Sequence, residues 1–255
     1  MFKNIIKNNI SPQLYDSILS FRYSFKRPAG SKQMLKEFRN KKAVEIGGPT
    51  FIFKTIFPVY QTLYKLDGIN YSRNTVWTNN LPDDDYEYLH SKKGKLFIAE
   101  GTDLKIIESG SYEAFLSSNC LEHIANPLKA LFEWKRVLMH GGILLLVLPK
   151  RESNHDHKRP ITSFQHIVDD YKNDTQEDDL TALEEILELH DLTRDEAAGS
   201  FEEFKERSLQ NHKFRCLHHH VYDMELINNM LEYIGLDIVF NFETNTDYFA
   251  IAKKK

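Results

Sequence analysis

The 255-residue chain is 41% hydrophobic and 12% aromatic, which supplies enough apolar material for one substantial core. Its 33 basic and 37 acidic residues leave a net charge of −4, so the sequence argues against the basic surface that nucleic-acid binding requires. The two cysteines, Cys120 and Cys216, cannot form a disulfide framework or a paired-cysteine metal site, and they favour a reducing compartment.

The N-terminus and the apolar runs predict a cytoplasmic protein without a membrane span. Residues 1–20 contain no apolar stretch of the kind that a signal peptide needs. The longest apolar run, Ile143–Leu148, is far too short to cross a bilayer. That run is instead typical of a buried central strand in a parallel sheet.

Strand-like and helical segments alternate along most of the chain. Residues 1–40 favour amphipathic helices that are interrupted near Pro28–Gly30, and later helical patterns cover Pro127–Met139 and Asp223–Ile234. Seven strands are predicted at Ala43–Ile46, Gln61–Leu66, Lys95–Ala99, Ala114–Ser118, Ile143–Leu148, Leu236–Phe240 and Tyr248–Ala252. This alternation predicts an α/β fold with a seven-stranded, mostly parallel sheet and helices on both faces.

We expect one domain over residues 1–255, organised in four parts. The N-terminal helices occupy residues 1–40, the core that carries the ligand site spans 41–149, and the last helix and strands span 223–255. Between them, residues 150–222 break the alternation with a polar segment rich in histidine and acidic residues. We expect this segment to be an insertion or lid on the substrate side, after the fifth strand.

Ligands in such sheets bind beyond the carboxyl ends of the strands, where several short polar segments should meet. After the first strand, Gly47 and Gly48 in the stretch VEIGGPT allow a sharp turn and a close approach of the backbone to a nucleoside-type ligand. Glu45 would lie beneath this turn as an acid that faces the same pocket. The alternative is an ordinary strand-to-helix turn, because one glycine pair is weak evidence.

Acidic residues after the next two strands could recognise the nucleoside. Asp67 follows Gly47 by 20 residues and could accept hydrogen bonds from both ribose hydroxyls, although Asp-Gly is also a common solvated turn. In the segment Gly101–Leu104, Asp103 could accept from the exocyclic amine of adenine while Leu104 packs on the ring. The alternative for Asp103 is to cap the following segment.

The segment from Ala114 to Pro149 carries the most specific pattern in the chain. A strand ends at Asn119, a loop follows, and Asn126-Pro127 open a helix as a cap with a first-turn proline. With VEIGG upstream, this pattern resembles the class I S-adenosylmethionine-dependent methyltransferases, and within them a type 11-like branch. The residues that carry the resemblance are Ser117, Leu121–Ile124, Asn126-Pro127, Arg136–Leu138, Gly141-Gly142, Leu144, Leu146 and Pro149, with His220, Tyr222, Asp223 and Leu226–Leu236 later in the chain.

The resemblance implies a Rossmann-like fold that binds S-adenosylmethionine and releases S-adenosylhomocysteine. It also implies that Gly47 and Gly48 form the floor for the methionine part and that Glu45 is the acid of the first motif. The implied cofactor-binding residues are Glu45, Gly47, Gly48, Asp67, Thr102, Asp103, Leu104, Asn119 and Glu122. The chain departs from the family's usual G-x-G with Gly47-Gly48-Pro49-Thr50, a variant similar to bacterial surface-polysaccharide methyltransferases.

Histidines are the predicted catalytic residues, because a neutral imidazole can take a proton from an acceptor hydroxyl. The candidates for this general base are His155, His157 and His166 in the polar segment and His123 in the LEH motif. We place His157 first, because the basic pair Lys158-Arg159 beside it could hold an anionic acceptor.

Two other interpretations of the polar segment remain open. Its histidines, together with Asp169 or Asp170, could hold a divalent metal that orients the acceptor. The spacing fits no standard zinc pattern, so a metal is not favoured. The remaining interpretation is a polar surface on which the histidines are incidental.

We therefore expect an enzyme that methylates oxygen on a small polar acceptor. The resemblance favours an anionic or sugar-like molecule, such as a nucleotide-activated sugar or a phosphate- or phosphoramidate-bearing precursor of capsular or surface polysaccharide. The alternative is a degenerate methyltransferase fold that binds cofactor or a partner without catalysis, and the unusual glycine loop supports it. Methylation of RNA or protein is disfavoured by the net charge of −4 and the lack of a basic stripe.

Overall fold

The computed structural model describes most of the chain as an α/β fold built on one sheet. The described residues are 11–25, 27–76, 81, 85–89, 92–195 and 197–255. The part of the predicted N-terminal helices that falls on residues 1–10 lies outside them. None of the described helices has the length and apolarity that crossing a membrane requires.

Helices and strands alternate as the sequence predicts. The described α-helices are α1 (Pro12–Ser24), α2 (Ser31–Glu37), α3 (Pro127–Val137), α4 (Phe164–Lys172), α5 (Leu183–Leu189), α6 (Phe201–Leu209), α7 (Asn211–Phe214) and α8 (Met224–Tyr233). The strands are β1 (Lys42–Ile46), β2 (Lys65–Asn70), β3 (Asp85–Leu89), β4 (Lys92–Ile98), β5 (Tyr112–Ser118), β6 (Leu138–Pro149), β7 (Leu236–Glu243) and β8 (Asp247–Lys254).

The strands form one sheet in the order β3-β4-β2-β1-β5-β6-β8-β7. The five strands β4, β2, β1, β5 and β6 are parallel to one another, whereas β3 runs antiparallel to β4 and β8 runs antiparallel to both of its neighbours. The prediction of a mostly parallel sheet is confirmed, and each predicted strand overlaps an observed one. The predicted number of seven is wrong, because the sheet has eight strands.

The unpredicted strand is β3, at one edge of the sheet. Along it, exposed charged residues alternate with Tyr86 and Tyr88, whose rings are buried. The Tyr86 and Tyr88 rings stack with centroids 6.4 Å apart, and Tyr88 packs edge-on against Tyr60 at 5.7 Å. A five-residue strand of this kind has only two buried side chains, so its period-two signal is weak in the sequence.

The second strand lies further along the chain than predicted. The prediction of Gln61–Leu66 is wrong at both ends: Val59–Gln61 form a short 3₁₀ turn, and β2 continues through Asp67-Gly68 to Asn70. Asp-Gly resembles a turn, but here the glycine is needed for packing. A Cβ on Gly68 would lie 2.1 Å from the Tyr86 ring.

Alternate residues of the central strands face two apolar layers, one on each side of the sheet. On β6, Leu144 and Leu146 belong to the layer that contains Trp134 of α3, whereas Leu145 belongs to the layer that contains Tyr60. Trp134 stacks on Phe115 of β5 with the ring centroids 5.0 Å apart. Met34 and Leu35 of α2 pack against the second layer, so helices cover both faces, as a parallel sheet requires.

The predicted start of α3 is confirmed, and it connects the core to the loops at the strand ends. The Asn126 side chain caps the helix by accepting from the Lys129 backbone N–H at 3.1 Å, and Pro127 occupies the first turn. On the same helix, the Trp134 indole N–H donates to the Gly101 carbonyl at 3.0 Å. This bond fixes the loop after β4 beside the strand ends.

Residues 150–222 carry helices α4 to α7 and a small apolar cluster of their own. The cluster contains Ile186, Ala198, Phe204 and Leu217. This segment follows β6, the sixth strand along the chain rather than the fifth, because β3 precedes β4. It contributes residues to the cavity that lies at the carboxyl ends of the parallel strands.

Candidate functional site

A cavity of about 530 Å³ lies beyond the carboxyl ends of β1, β2, β4 and β5. This volume is in the range of sites that hold small organic ligands. Among the polar or backbone groups that line it are Gly47 and Gly48 after β1, Asn70 and Tyr71 at the end of β2, Glu100 and Gly101 after β4, Asn119, Glu122 and His123 after β5, and Arg215 and His218 from the segment 150–222.

Both glycines of the turn after β1 line the cavity, and the fold needs each for a different reason. Gly47 has a φ of +76°, and a Cβ there would meet the Cys120 side chain at 3.0 Å. A Cβ on Gly48 would lie 2.2 Å from the Tyr86 hydroxyl oxygen and 2.3 Å from the Glu45 carboxyl carbon. The wall of the cavity at this turn is therefore backbone, which a ligand can approach closely.

Glu45 lies beneath this turn, but its carboxyl group does not line the cavity. The side chain is fully buried, and it accepts from the Tyr60 hydroxyl at 2.6 Å and from the Tyr86 hydroxyl at 2.6 Å. Burial raises the pKa of Glu45 to about 7, although the two tyrosine hydroxyls oppose the rise. The expectation that this acid faces the pocket is wrong, because the tyrosines and Gly48 enclose it.

Asp67 is also a buried carboxylate away from the cavity. One oxygen accepts from the Lys95 backbone N–H at 2.7 Å, and the other accepts from the Tyr112 hydroxyl at 2.7 Å. The predicted position at a strand end is wrong, since β2 continues past Asp67. The strand ends at Asn70, which does line the cavity together with Tyr71.

The loop after β4 lines the cavity through Glu100 and Gly101, rather than through the residues that were predicted. Leu104 is buried in the apolar core, and Thr102 does not line the cavity. The Asp103 carboxylate is exposed and pairs with Lys105 at 3.0 Å, and this hydrogen bond lowers its pKa. The structure therefore brings Asn119 and Glu122 to the site with the glycines and leaves Thr102, Asp103 and Leu104 outside it.

Glu122, His123 and His218 form what we call the polar end of the cavity. One carboxylate oxygen or ring nitrogen of each lies within 4.8 Å of the others. Glu122 is 1% exposed, and its Oε2 has no hydrogen-bond partner among the described residues. Burial raises the pKa of Glu122 to about 7, although the nearby charge of His218 opposes the rise.

His123 is the one predicted catalytic histidine that lines the cavity. Its Nδ1 is 3.0 Å from the Leu217 carbonyl oxygen, and because a carbonyl only accepts, this nitrogen carries the proton. Burial, with the nearby charge of His218, lowers the pKa of His123 well below its ordinary value. The imidazole is therefore neutral and has a fixed orientation.

A buried carboxylate and a buried guanidinium hold His218 from behind. Its Nδ1 is hydrogen-bonded to Asp156, which is 2% exposed. Burial by itself would lower the pKa of His218, but the charge and hydrogen bond of Asp156 raise it above its ordinary value. Arg159, which is also 2% exposed, donates to Asp156 at 3.0 Å and to the His218 carbonyl at 2.8 Å.

Because of these bonds, Arg159 supports the fold instead of holding an acceptor. Its Nε also donates to the Glu185 carboxylate at 2.9 Å, so the whole guanidinium is engaged inside the protein. The expectation that Lys158-Arg159 presents a basic pair to an anionic ligand is therefore wrong for Arg159.

The other three predicted catalytic histidines do not line the cavity. His157 bonds to Asp191 through Nε2 at 2.8 Å, and the His155 ring stacks on His190 with centroids 4.3 Å apart. His166 lies on α4 with its side chain 49% exposed, next to Asp170. The structure does not support placing His157 first among the candidates, because its imidazole is bonded to Asp191 and does not line the cavity.

Arg215 connects the segment 150–222 to the strand ends. Its guanidinium donates to Glu100 at 2.9 Å, pairs with Glu177 at 2.9 Å and lies over the Tyr71 ring at 5.3 Å. Burial raises the pKa of Glu177 to about 7, although the charge of Arg215 opposes the rise. This cluster closes one wall of the cavity.

The cavity lining includes polar residues that the sequence analysis did not predict, among them Asn70, His218 and Arg215. Asn70 was hidden because the second strand was predicted too early in the chain. His218 is the first of three consecutive histidines in the sequence, and no local pattern shows which of the three imidazoles reaches the cavity. Arg215 reaches its partners only because α7 ends at Phe214 and Arg215 adopts a φ of +55°.

Comparison with known proteins finds one matching family model and solved structures of similar fold. The family model Methyltransf_11, a methyltransferase domain, matches residues 54–146. An S-adenosylmethionine-dependent methyltransferase from Mesorhizobium loti is similar in structure, with a TM-score of 0.51 at 12% identity, over 88% of this chain and 96% of that chain. A SAM-dependent methyltransferase from Aquifex aeolicus has a TM-score of 0.45 at 12% identity, over 92% and 98% of the two chains. No curated protein matches the sequence.

Proposed function

Because this chain is a class I S-adenosylmethionine-dependent methyltransferase, we propose that it methylates an oxygen atom of a small polar acceptor bound at the polar end of the cavity. The observation that carries this proposal is the position of Glu122, His123 and His218. Their imidazole and carboxylate groups stand at the same cavity that the glycine turn lines. An acceptor hydroxyl there would meet both hydrogen-bonding partners and groups that can take up its proton.

The residues around the cavity fit the cofactor. The backbone at Gly47 and Gly48 has no side chain between it and a ligand, as close approach to the methionine part requires. At the end of β2, the Asn70 amide can bond to a ribose hydroxyl, and Tyr71 beside it offers an aromatic surface. We assign the ribose contact to Asn70 in place of Asp67, which faces Lys95 and Tyr112.

The reaction needs alignment and the removal of one proton. When bound, S-adenosylmethionine supplies a methyl group on a positively charged sulfur: the O–C bond forms as the C–S bond breaks, and the electron pair stays on the sulfur of the product S-adenosylhomocysteine. The chain has to hold the acceptor oxygen in line with that bond and exclude water. The acceptor's hydroxyl proton leaves to the polar end.

For the acceptor itself, we propose a nucleotide-activated sugar or a phosphate- or phosphoramidate-bearing precursor of surface polysaccharide. The resemblance of the Gly47-Gly48-Pro49-Thr50 turn supports this class, and methylation would then take place in the cytoplasm. The neutral imidazole of His123 and the carboxylate of Glu122 can accept hydrogen bonds from hydroxyls, which suits a hydroxyl-rich acceptor. We further propose that residues 1–255 act as one domain, with residues 150–222 as the substrate-side segment.

The rival proposal is a degenerate fold that binds cofactor or a partner without transferring methyl. It is less well supported, because a fold that only binds cofactor has no need for the Asp156–Arg159 support behind His218. Calorimetry with S-adenosylmethionine and S-adenosylhomocysteine tests the cofactor site, and we expect micromolar affinity, about −8 kcal/mol.

Turnover separates the two proposals. The purified enzyme is incubated with nucleotide sugars and phosphorylated sugars, and release of S-adenosylhomocysteine is measured against a reaction without acceptor. Acceptor-dependent release supports methyl transfer, and mass spectrometry of the product identifies the methylated atom. Cofactor binding without release across the whole panel would favour the rival.

A further inference from the structure

We propose that Glu122, His123 and His218 bind one divalent transition-metal ion at the polar end of the cavity. Two imidazoles and one carboxylate are a donor set that suits such ions and leaves coordination positions open for other ligands. Of the histidines in the segment 150–222, only His218 belongs to this site, and the other two groups, Glu122 and His123, lie in the loop after β5. What the ion would do there rests on the proposed methyl transfer, but the binding site itself does not.

The three donor groups converge. One potential ligand atom from each residue lies within 4.8 Å of the others, so that small side-chain movements bring all three to bonding distance of one ion. Glu122 supplies a buried carboxylate oxygen, Oε2, for which the described residues offer no hydrogen-bond partner. A buried carboxylate oxygen of this kind needs a donor or a cation, because leaving it unpaired is costly.

The groups behind the imidazoles match those that orient metal-binding histidines. Such histidines usually donate their second ring N–H to a backbone carbonyl or a carboxylate. Here Nδ1 of His123 donates to the Leu217 carbonyl at 3.0 Å, and Nδ1 of His218 is bonded to Asp156. A ring that is held through Nδ1 in this way binds a metal through Nε2, and Arg159 in turn fixes Asp156.

The arrangement of the two rings also fits a shared ion. If each nitrogen lies about 2.1 Å from the ion and the two bonds are about 90° apart, the ring centroids are roughly 4.6 Å apart. The centroids of His123 and His218 are 4.7 Å apart, with the ring planes at 73°. The rings of His155 and His190, by contrast, are stacked nearly parallel, with their planes at 24°.

Two further groups among the described residues could bind a metal, and neither has this combination of features. In the group His155, Asp156 and His190, the carboxylate is already held by His218 and Arg159. The group His166, Asp170 and His220 lies outside the cavity lining, with His166 half-exposed. The second of these groups serves as the internal comparison in the test below, through His166→Ala.

An ion at the polar end would have a definite effect on the proposed reaction. Lining the cavity, it could bind the acceptor oxygen directly and lower the pKa of that hydroxyl, so that the proton leaves before or during methyl transfer. With the ion bound, Glu122, His123 and His218 are its ligands, so the released proton would pass to water instead of to these groups, and no oxidation or reduction is involved. Chelate-forming acceptors, with two neighbouring oxygens, would gain most from this geometry.

The test uses Co²⁺ as a spectroscopic probe on the full-length protein after treatment with a chelator. We expect one equivalent of Co²⁺ to give visible absorption bands, with imidazole nitrogens detected as ligands of Mn²⁺ or Cu²⁺ by pulsed electron paramagnetic resonance. Glu122→Gln and His218→Ala should each weaken Co²⁺ binding by at least about 100-fold, and Asp156→Asn by about 10–100-fold. The matched control His166→Ala should leave the affinity unchanged.

Several results would overturn the metal proposal. They are absence of Co²⁺ binding to the folded protein, binding that Glu122→Gln and His218→Ala leave unchanged, and binding that His166→Ala abolishes. Glu122→Gln preserves the side-chain shape, and circular dichroism checks that each variant is folded. Methyl transfer at full rate in excess chelator would overturn the role of the metal in the reaction and leave the proposed function standing. Co²⁺ binding in a protein that does not bind the cofactor would support the metal site and contradict the proposed function.

Discussion

Two glutamates are buried next to loops that line the cavity, and they differ in the hydrogen bonds that their carboxylate oxygens make. Glu45 is near the end of β1, and both of its oxygens are satisfied by the hydroxyls of Tyr60 and Tyr86. Glu122 follows β5, lines the cavity, and keeps one oxygen without a partner among the described residues. Burial raises the pKa of both carboxyls to about 7.

The comparison shows that burial and a raised pKa do not by themselves identify a functional acid. The two differ in whether a carboxylate oxygen is still available for a hydrogen bond or a metal ion, and in whether that oxygen faces the ligand site. The hydroxyls of Tyr60 and Tyr86 already donate to the carboxylate oxygens of Glu45, so this residue supports the glycine turn. Glu122, by contrast, lines the ligand site and has a carboxylate oxygen that can bind an acceptor, a proton or a metal ion there.

The largest expected effect is on catalytic activity, which a substitution of Glu122 should lower far more than a substitution of Glu45. Glu122→Gln should lower kcat by about 10²–10⁴-fold, because a group that acts on the acceptor is lost at the reacting end of the cavity. Glu45→Gln should retain most of the wild-type kcat at saturating cofactor. Steady-state release of S-adenosylhomocysteine measures both. Equal losses in the two variants would mean that Glu45 also acts in the reaction and that the comparison fails.

The next effect concerns stability as a function of pH. Since the pKa of Glu45 in the fold is about 7 and its ordinary value is 4.5, the native state holds the proton more tightly than the unfolded chain. Its contribution to stability is fully present below pH 4.5 and is lost as the pH rises to about 7, in total about 3 kcal/mol.

Denaturant unfolding of the wild type and of Glu45→Gln at pH 5 to 8 measures this contribution. The difference in unfolding free energy between the two proteins should shift in favour of the variant as the pH rises, and it should become constant above pH 7. Glu122 is present in both proteins and cancels in the difference. A difference that does not change with pH would show that Glu45 is ionised throughout.

The same contrast appears on β2 between Asp67 and Asn70. Asp67→Asn should lower the unfolding free energy by about 1–3 kcal/mol, because an amide cannot accept from both Lys95 and Tyr112. Cofactor affinity should remain close to that of the wild type. Calorimetry beside denaturant unfolding distinguishes the two effects, and a variant of normal stability that loses cofactor binding would return the ribose role to Asp67.

The smallest expected effect is on cofactor affinity at the strand end. Asn70→Ala should weaken binding of S-adenosylhomocysteine by about 1 kcal/mol, roughly a fivefold increase in Kd, since one hydrogen bond to a ribose hydroxyl is lost. Stability should change less than in Asp67→Asn. An unchanged Kd in this variant would remove Asn70 from the proposed cofactor site.

Much of the fold was determined by the sequence alone, because the signals are local. The six apolar residues 143–148 are typical of a buried strand, and Asn126-Pro127 indicate where α3 begins through capping and a fixed backbone angle. The turn at Gly47 and Gly48 follows from the backbone freedom of glycine. The alternation of strands and helices then gives the parallel sheet and the edge at which ligands bind.

Only the tertiary structure decided which polar side chains belong to the site. Asp67 and Asn70 are three residues apart, but contacts with Tyr112 and the strand β4 bury one and leave the other at the cavity. His218 reaches the polar end because Asp156 and Arg159, about sixty residues earlier in the chain, hold it there. Such contacts are set by packing between distant segments, and no local pattern of residues encodes them.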